Sequence, residues 1–195
     1  YLNKCDLLFA VGSSLSPGRF SHGIPNAVNK TIIHATVDEL HVNKVYPTAA
    51  ALIGDARFTL MAVVKELSDK TSGHGRPAGK VAAEVKAARD SAMVQYREAM
   101  ASTDRPINPY RVYAGLMEVL DPLKSFVTHE SGNTRDQLST VYDTLIPRGF
   151  LGWGNVSSLG FSFAATIAAK ISFPDKHCVA VTGEAGLGYM MGNLE

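Results

Sequence analysis

Short apolar runs that close on glycine or small polar residues alternate along the chain with stretches of helical periodicity. Cys5-Asp6-Leu7-Leu8-Phe9-Ala10-Val11 runs into Gly12-Ser13-Ser14, the pattern of a buried parallel strand entering a loop. Thr31 to Ala35 and Ala49 to Ile53 repeat it, the latter stopped by Gly54-Asp55. From Ala56 to Leu67 the apolar positions Phe58, Leu60, Met61, Val64 and Leu67 recur at helical spacing, and Asp55 is placed to cap that helix. Strands separated by loops and helices predict an α/β fold with a doubly wound parallel sheet.

The pattern then changes. Ser68 to Gly79 is rich in Gly, Pro, Ser and Lys without apolar periodicity and reads as an exposed linker, and Lys80 to Met100, rich in Ala, Glu, Lys and Arg, predicts a largely exposed helix. Strand and helix signals resume at Asn108-Pro109, a cap followed by a first-turn proline, with Val112, Leu116, Val119 and Leu120 as the apolar face of a helix ending near Pro122. Ser125 to His129 is strand-like and leads into the polar loop Glu130 to Thr134, after which a helix is expected. A small-residue helix from about Leu159 to Ile171 and a strand from Cys178 to Thr182 follow. The division is therefore 1–67, a linker with an exposed helix over 68–105, and 106–195.

Composition adds mainly exclusions. With 19 basic against 18 acidic residues and 46% hydrophobic residues in 195, the chain suits a soluble, cytoplasmic globular protein and has no concentrated basic patch for nucleic acid. Its apolar stretches, Leu7 to Val11 and Phe161 to Ala169, are shorter than the roughly 20 residues that span a bilayer. Cys5 and Cys178 stand far apart and match no zinc spacing. His129 and Trp153 read as structural residues, and Cys178 as a buried small hydrophobe.

The sharpest chemical feature is the strand end Val181-Thr182-Gly183-Glu184-Ala185-Gly186. In parallel sheets ligands bind outside the carboxyl ends of strands; glycines there let backbone N–H groups approach a diphosphate, and a carboxylate beside them can ligate Mg²⁺. The same residues also suit a plain strand-to-helix turn with an acidic first residue favoured by the helix dipole. The loop of Glu130, Ser131, Gly132, Asn133 and Thr134 follows another strand and offers N–H and side-chain donors to phosphate. Gly154-Asn155-Val156-Ser157-Ser158-Leu159-Gly160-Phe161 opens the small-residue helix.

Taken in that order, these pieces resemble the diphosphate-side half of the cofactor domain of thiamine-diphosphate-dependent decarboxylases and carboligases, the group of acetolactate synthase, benzoylformate decarboxylase and oxalyl-CoA decarboxylase. Asp6 to Leu15 and Leu52 to Ala56 are similar to strand-end patterns in that family's central domain, so the resemblance covers nearly the whole chain. It implies thiamine diphosphate and Mg²⁺ as cofactors, with Glu130, Gly132, Asn133, Ser157, Ser158, Leu159, Gly183, Ala185 and Gly186 on the cofactor and Glu184 on the metal. Leu159 takes the position of the bulky residue that wedges the cofactor into its bent form, and the carbonyl of Ser157 that of the acceptor for its amino group. In the family a Gly-Asp-Gly turn holds the metal; here Glu184 and Ala185 replace its last two residues. The resemblance also places the activating glutamate in a domain outside this sequence and the metal-binding Asn beyond Glu195. It therefore implies a chain inactive by itself, part of a lyase or transferase that acts on a 2-oxo acid or acyl-CoA as a homodimer or homotetramer, with FAD or ADP as a possible ligand of the central domain.

A second reading is a nucleotide-binding module, because Asp6 to Leu15 followed by Pro17 also resembles the NAD-binding strand end of sirtuins and Asp38 follows a strand. A third is a non-catalytic scaffold of the same fold, to which Glu184 and Ala185 lend support.

Overall fold

A computed structural model describes residues 1–17, 23–75, 77–154 and 156–194. Asn155, within the segment singled out above, and the terminal Glu195 lie outside the described residues. The chain divides into two compact units, Tyr1–Arg89 and Asp90–Glu195.

In the first unit β1 (Leu7–Val11), β2 (Thr31–Thr36) and β3 (Ala50–Ile53) form a parallel sheet in the order β1-β2-β3. Ala10, Ile32 and Ala35 are buried in it, together with the polar His34 and Thr36. The buried His34 ring is held by a 2.7 Å hydrogen bond between Nε2 and the Ser13 carbonyl. Helix α1 (Ala56–Thr71) starts where Asp55 accepts from the N–H groups of Arg57 and Phe58, so the expected cap is present. The helix outruns the expected linker boundary: Ser68 to Thr71 form its last turn, which ends at Ser72 in the left-handed region with Gly73 after it. Its apolar stripe is not buried in this unit, since Phe58, Met61, Val64 and Leu67 are exposed.

Helix α2 (Ala78–Met100) is the predicted long helix, begun two residues earlier than expected. It is exposed along much of its length, but Met93, Tyr96 and Met100 pack on the core of the second unit. That core is Tyr113, Val127, Leu138 and Val141, flanked by Tyr110, Met117, Leu120, Tyr142, Phe150, Val179 and Val181. Helix α3 (Pro109–Val119) has the expected Asn108 cap and first-turn proline but ends earlier than Pro122. Its buried face is also different: Tyr113 and Ala114 point inward, whereas Val119 is 83% exposed and Val112 is exposed too. The aromatic positions win because Tyr110 and Tyr113 reach farther into the core and meet edge to face, 6.0 Å apart.

The second sheet is parallel, in the order β5-β4-β6, with β4 (Ser125–His129) central between β5 (Phe150–Leu151) and β6 (His177–Val181). The short edge strand β5 carries no alternating pattern in the sequence. Helix α4 (Asn133–Val141) follows β4, α5 (Phe161–Ser172) follows the β5 segment, and α6 (Glu184–Met190) follows β6. Asn133 is thus the first residue of α4 rather than a loop residue, and α5 starts two residues later than expected because Gly160 sits at its N-cap with φ of 88°. Cys178 is half-buried, not buried.

Candidate functional site

Three parallel strands that end side by side deliver three turns to one end of the second sheet. The turns are 130–132 after β4, 152–154 with 156–160 after β5, and 182–183 after β6. Their geometry divides sharply between a filled helix start and two open ones.

The filled start belongs to α5. Glu130 is 1% exposed, and its backbone N–H donates to the Val181 carbonyl at 2.8 Å, joining the ends of β4 and β6. Its carboxylate turns inward. Oε2 accepts from the Gly160 N–H at 3.1 Å, the Ser162 N–H at 3.3 Å and the Ser162 hydroxyl at 2.9 Å, while Oε1 accepts from the Ser131 N–H at 2.9 Å. A carboxylate this deep is tolerated because donors surround it.

The open starts are those of α4 and α6. Gly132, at the N-cap of α4, and Gly183, at the N-cap of α6, provide no side-chain cap. A Cβ added at either would meet nothing within 4 Å, so the space beside each glycine is open. Gly132 has φ of 85°, a conformation that favours glycine. Unfilled N–H groups at helix starts attract anions, and here two such starts follow neighbouring strands. Glu184 is the first residue of α6 and is exposed, as is Ala185, whereas Gly186 is buried against Glu130.

The turn after β5 is tied to the turn after β4 by hydroxyl contacts. The Ser131 hydroxyl donates to the Ser157 carbonyl at 3.3 Å and hydrogen-bonds the Ser157 hydroxyl. Ser157 holds φ of 61°, uncommon for a residue with a Cβ, and Ser158 and Leu159 follow it at the surface. Leu159 is 44% exposed and therefore is not a core leucine. His129 is buried, its Nδ1 within 3.1 Å of the Glu130 carbonyl and its ring near Phe150 and Trp153; Trp153 is buried as well. Both side chains are packed inside the second unit.

The structure thus brings Glu130, Gly132, Asn133, Ser157, Gly183 and Gly186 to one sheet end, with Glu184, Ala185, Ser158 and Leu159 exposed there. Sequence reasoning missed Ser131, Gly160 and Ser162 as partners of Glu130. The one available signal is a serine in the first turn of an otherwise apolar helix, and nothing in its spacing points back to Glu130. Among the described residues no group of three or more His, Cys, Asp and Glu side chains is gathered for a metal, and no helix is long and apolar enough to cross a membrane.

Two units, each a parallel sheet with helices following its strands, define an α/β protein. Comparison with known proteins is more specific. Residues 1–63 match the central domain of thiamine pyrophosphate enzymes, and residues 130–195 match their C-terminal TPP binding domain, thiamine pyrophosphate being another name for thiamine diphosphate. The chain belongs to the thiamine pyrophosphate enzyme family. It is similar to a probable acetolactate synthase large subunit of Methanococcus aeolicus, 28% identical over 100% of this chain and 33% of the relative. A probable 2-ketoarginine decarboxylase of Pseudomonas aeruginosa is 26% identical over 98% of the chain and 32% of the relative. Human 2-hydroxyacyl-CoA lyase 1 is 30% identical over 75% of the chain and 26% of its own length. The chain spans about a third of the length of the first two of these relatives.

Proposed function

We propose that the second unit holds the diphosphate and thiazolium side of thiamine diphosphate in a lyase or carboligase acting on a 2-oxo acid or an acyl-CoA. The observation that carries this reading is the pair of helix starts, α4 and α6, left without side-chain caps beside open glycines at neighbouring strand ends. Backbone N–H groups from both starts offer a diphosphate the donors it needs, with Gly132, Asn133, Gly183, Ala185 and Gly186 framing it and Glu130 supporting it from below.

The donor set suits Mg²⁺ as well. That ion keeps several waters and takes one or two protein carboxylates plus phosphate oxygens, so the exposed Glu184 at the start of α6 supplies what the protein has to give. When bound, the cofactor supplies a reactive carbon and an electron sink for making and breaking carbon–carbon bonds. The chain's own residues orient it. Leu159 presents an exposed apolar side chain beside Ser158 and would support the bound cofactor. The Ser157 carbonyl, which has two lone pairs, would accept from the cofactor's amino group alongside the Ser131 hydroxyl.

The domain division 1–67, 68–105 and 106–195, a homodimeric or homotetrameric assembly, a cytoplasmic location and a small-molecule rather than nucleic-acid partner go with this reading. The full-length protein, supplied with thiamine diphosphate and Mg²⁺, is expected to release CO₂ from a 2-oxo acid or to cleave or condense an acyl-CoA. Chromatographic analysis of a panel of both substrate classes tests this. No product from either class, with saturable cofactor binding intact, would move the assignment to a non-catalytic scaffold.

A nucleotide ligand in the first unit is a second reading with its own support. A cavity of about 150 Å³ lies at the carboxyl ends of β1, β2 and β3, lined by Gly12, Ser13, Asp38 and Gly54 among others. Its place suits one end of FAD, ADP or NAD. Equilibrium dialysis of the three nucleotides against the full-length protein separates them.

A further inference from the structure

We propose that Glu130 is a positioning residue that makes the three turns at the strand ends of the second unit behave as one body, so that cofactor affinity depends on a carboxylate that does not touch the cofactor. The inference deepens the thiamine diphosphate reading and, in its functional part, rests on it.

All four polar contacts of the side chain are accepted bonds, the pattern of a carboxylate and not of a carboxylic acid or an amide. They are shared between elements. One oxygen holds the Ser131 turn, and the other holds the first turn of α5 through Gly160 and Ser162. The third turn is reached by packing: a Cβ built on Gly186 would lie 2.4 Å from Cγ and 2.8 Å from Oε2 of Glu130, so α6 closes directly over the carboxylate. The backbone N–H of Glu130 adds the bond to Val181 at the end of β6.

This arrangement exceeds what capping α5 requires. A single oxygen from a Ser or Asp at the N-cap would do that locally, yet Gly160 stands there and the acceptor comes from a neighbouring strand end. The result is a division of labour among three helix starts, one filled by the protein's own carboxylate and two left open. A displacement of the carboxylate moves the Ser131 turn that precedes α4 and the floor beneath α6 together. Because Ser131 also bonds Ser157, the displacement reaches the segment ahead of Leu159.

Two conservative variants separate this from an ordinary buried anchor. In Glu130→Gln the amide oxygen can serve Gly160 and Ser162, but its NH₂ group then faces the Ser131 N–H, donor against donor. Ser162→Ala removes one donor from the α5 side alone. Hydrogen exchange of the cofactor-free full-length protein is expected to quicken at least tenfold at both the Ser131 amide and the Gly160 and Ser162 amides in each variant. Quickening confined to the turn that lost its own bond would overturn the coupling.

Calorimetric titration with thiamine diphosphate and Mg²⁺, well below the melting temperature, is expected to give a Kd at least tenfold higher for Glu130→Gln. An unchanged Kd with a lowered melting temperature would reduce Glu130 to a structural anchor and overturn the positioning role. Wild-type protein that exchanges as one body but binds no thiamine diphosphate would retire the cofactor reading while leaving the coupling of the turns in place.

Discussion

Gly186 and Glu130 pack so closely that a methyl group on the glycine would lie 2.4 Å from the Cγ of the glutamate. The neighbour is a buried side chain fixed by four hydrogen bonds, so it has little room to give. Gly186→Ala is therefore expected to destabilise the protein by about 1–3 kcal/mol, the range for overpacking a well-filled interior, despite alanine's better helix propensity. Urea denaturation measures it. An unchanged midpoint would show that α6 shifts freely and that the contact sets no constraint.

Leu159 is expected to behave in the opposite way. At 44% exposure it contributes little burial, so Leu159→Ala should cost less than about 1 kcal/mol of stability. Turnover of the full-length enzyme should fall by tenfold or more if its side chain props the cofactor. A large loss of stability with normal specific activity would contradict that role.

The tyrosines beside the second core give a pH signature. Burial raises the phenol pKa of Tyr113, with a smaller contribution from Tyr110; burial likewise raises Tyr110, with Tyr96 and Asp136 adding to it, and Tyr142. Each phenol is held neutral more firmly in the folded state than in the unfolded chain. The associated stability is complete below about pH 10, the unfolded value, and is lost as pH rises toward the higher folded values. Denaturation midpoints followed upward from pH 9 should fall in the wild type and fall less in Tyr113→Phe, which lacks an ionisable group. Equal slopes would show that Tyr113 does not contribute to the alkaline loss.

Much of this molecule is legible in its sequence because strands and their stops are local. The runs before Gly12, Gly54 and Gly183 each end a parallel strand, and Asp55 and Asn108 each cap the helix they precede. The errors are longer in range. Val112 and Val119 have the right spacing for a buried face, but Tyr110 and Tyr113 occupy it because the neighbouring aromatic and aliphatic partners come from α2, α4 and β4. Strand β5 has two residues and exists through its pairing with β4. At the site, the turns and their glycines are visible as chemistry, yet the direction of the Glu130 carboxylate depends on Gly160 and Ser162, thirty or so positions away. The sequence presents Glu130 as one more residue of a polar loop; packing turns its carboxylate inward onto Ser131, Gly160 and Ser162.

Reception of thiamine diphosphate with Mg²⁺ at the open starts of α4 and α6, as proposed, is read by isothermal titration of the full-length protein with the cofactor, in the presence of Mg²⁺ and again with the metal chelated. The expected result is saturable binding that weakens at least tenfold without the metal and in Glu184→Gln. A folded protein that produces no binding heat and no displacement signal at millimolar cofactor would contradict the claim.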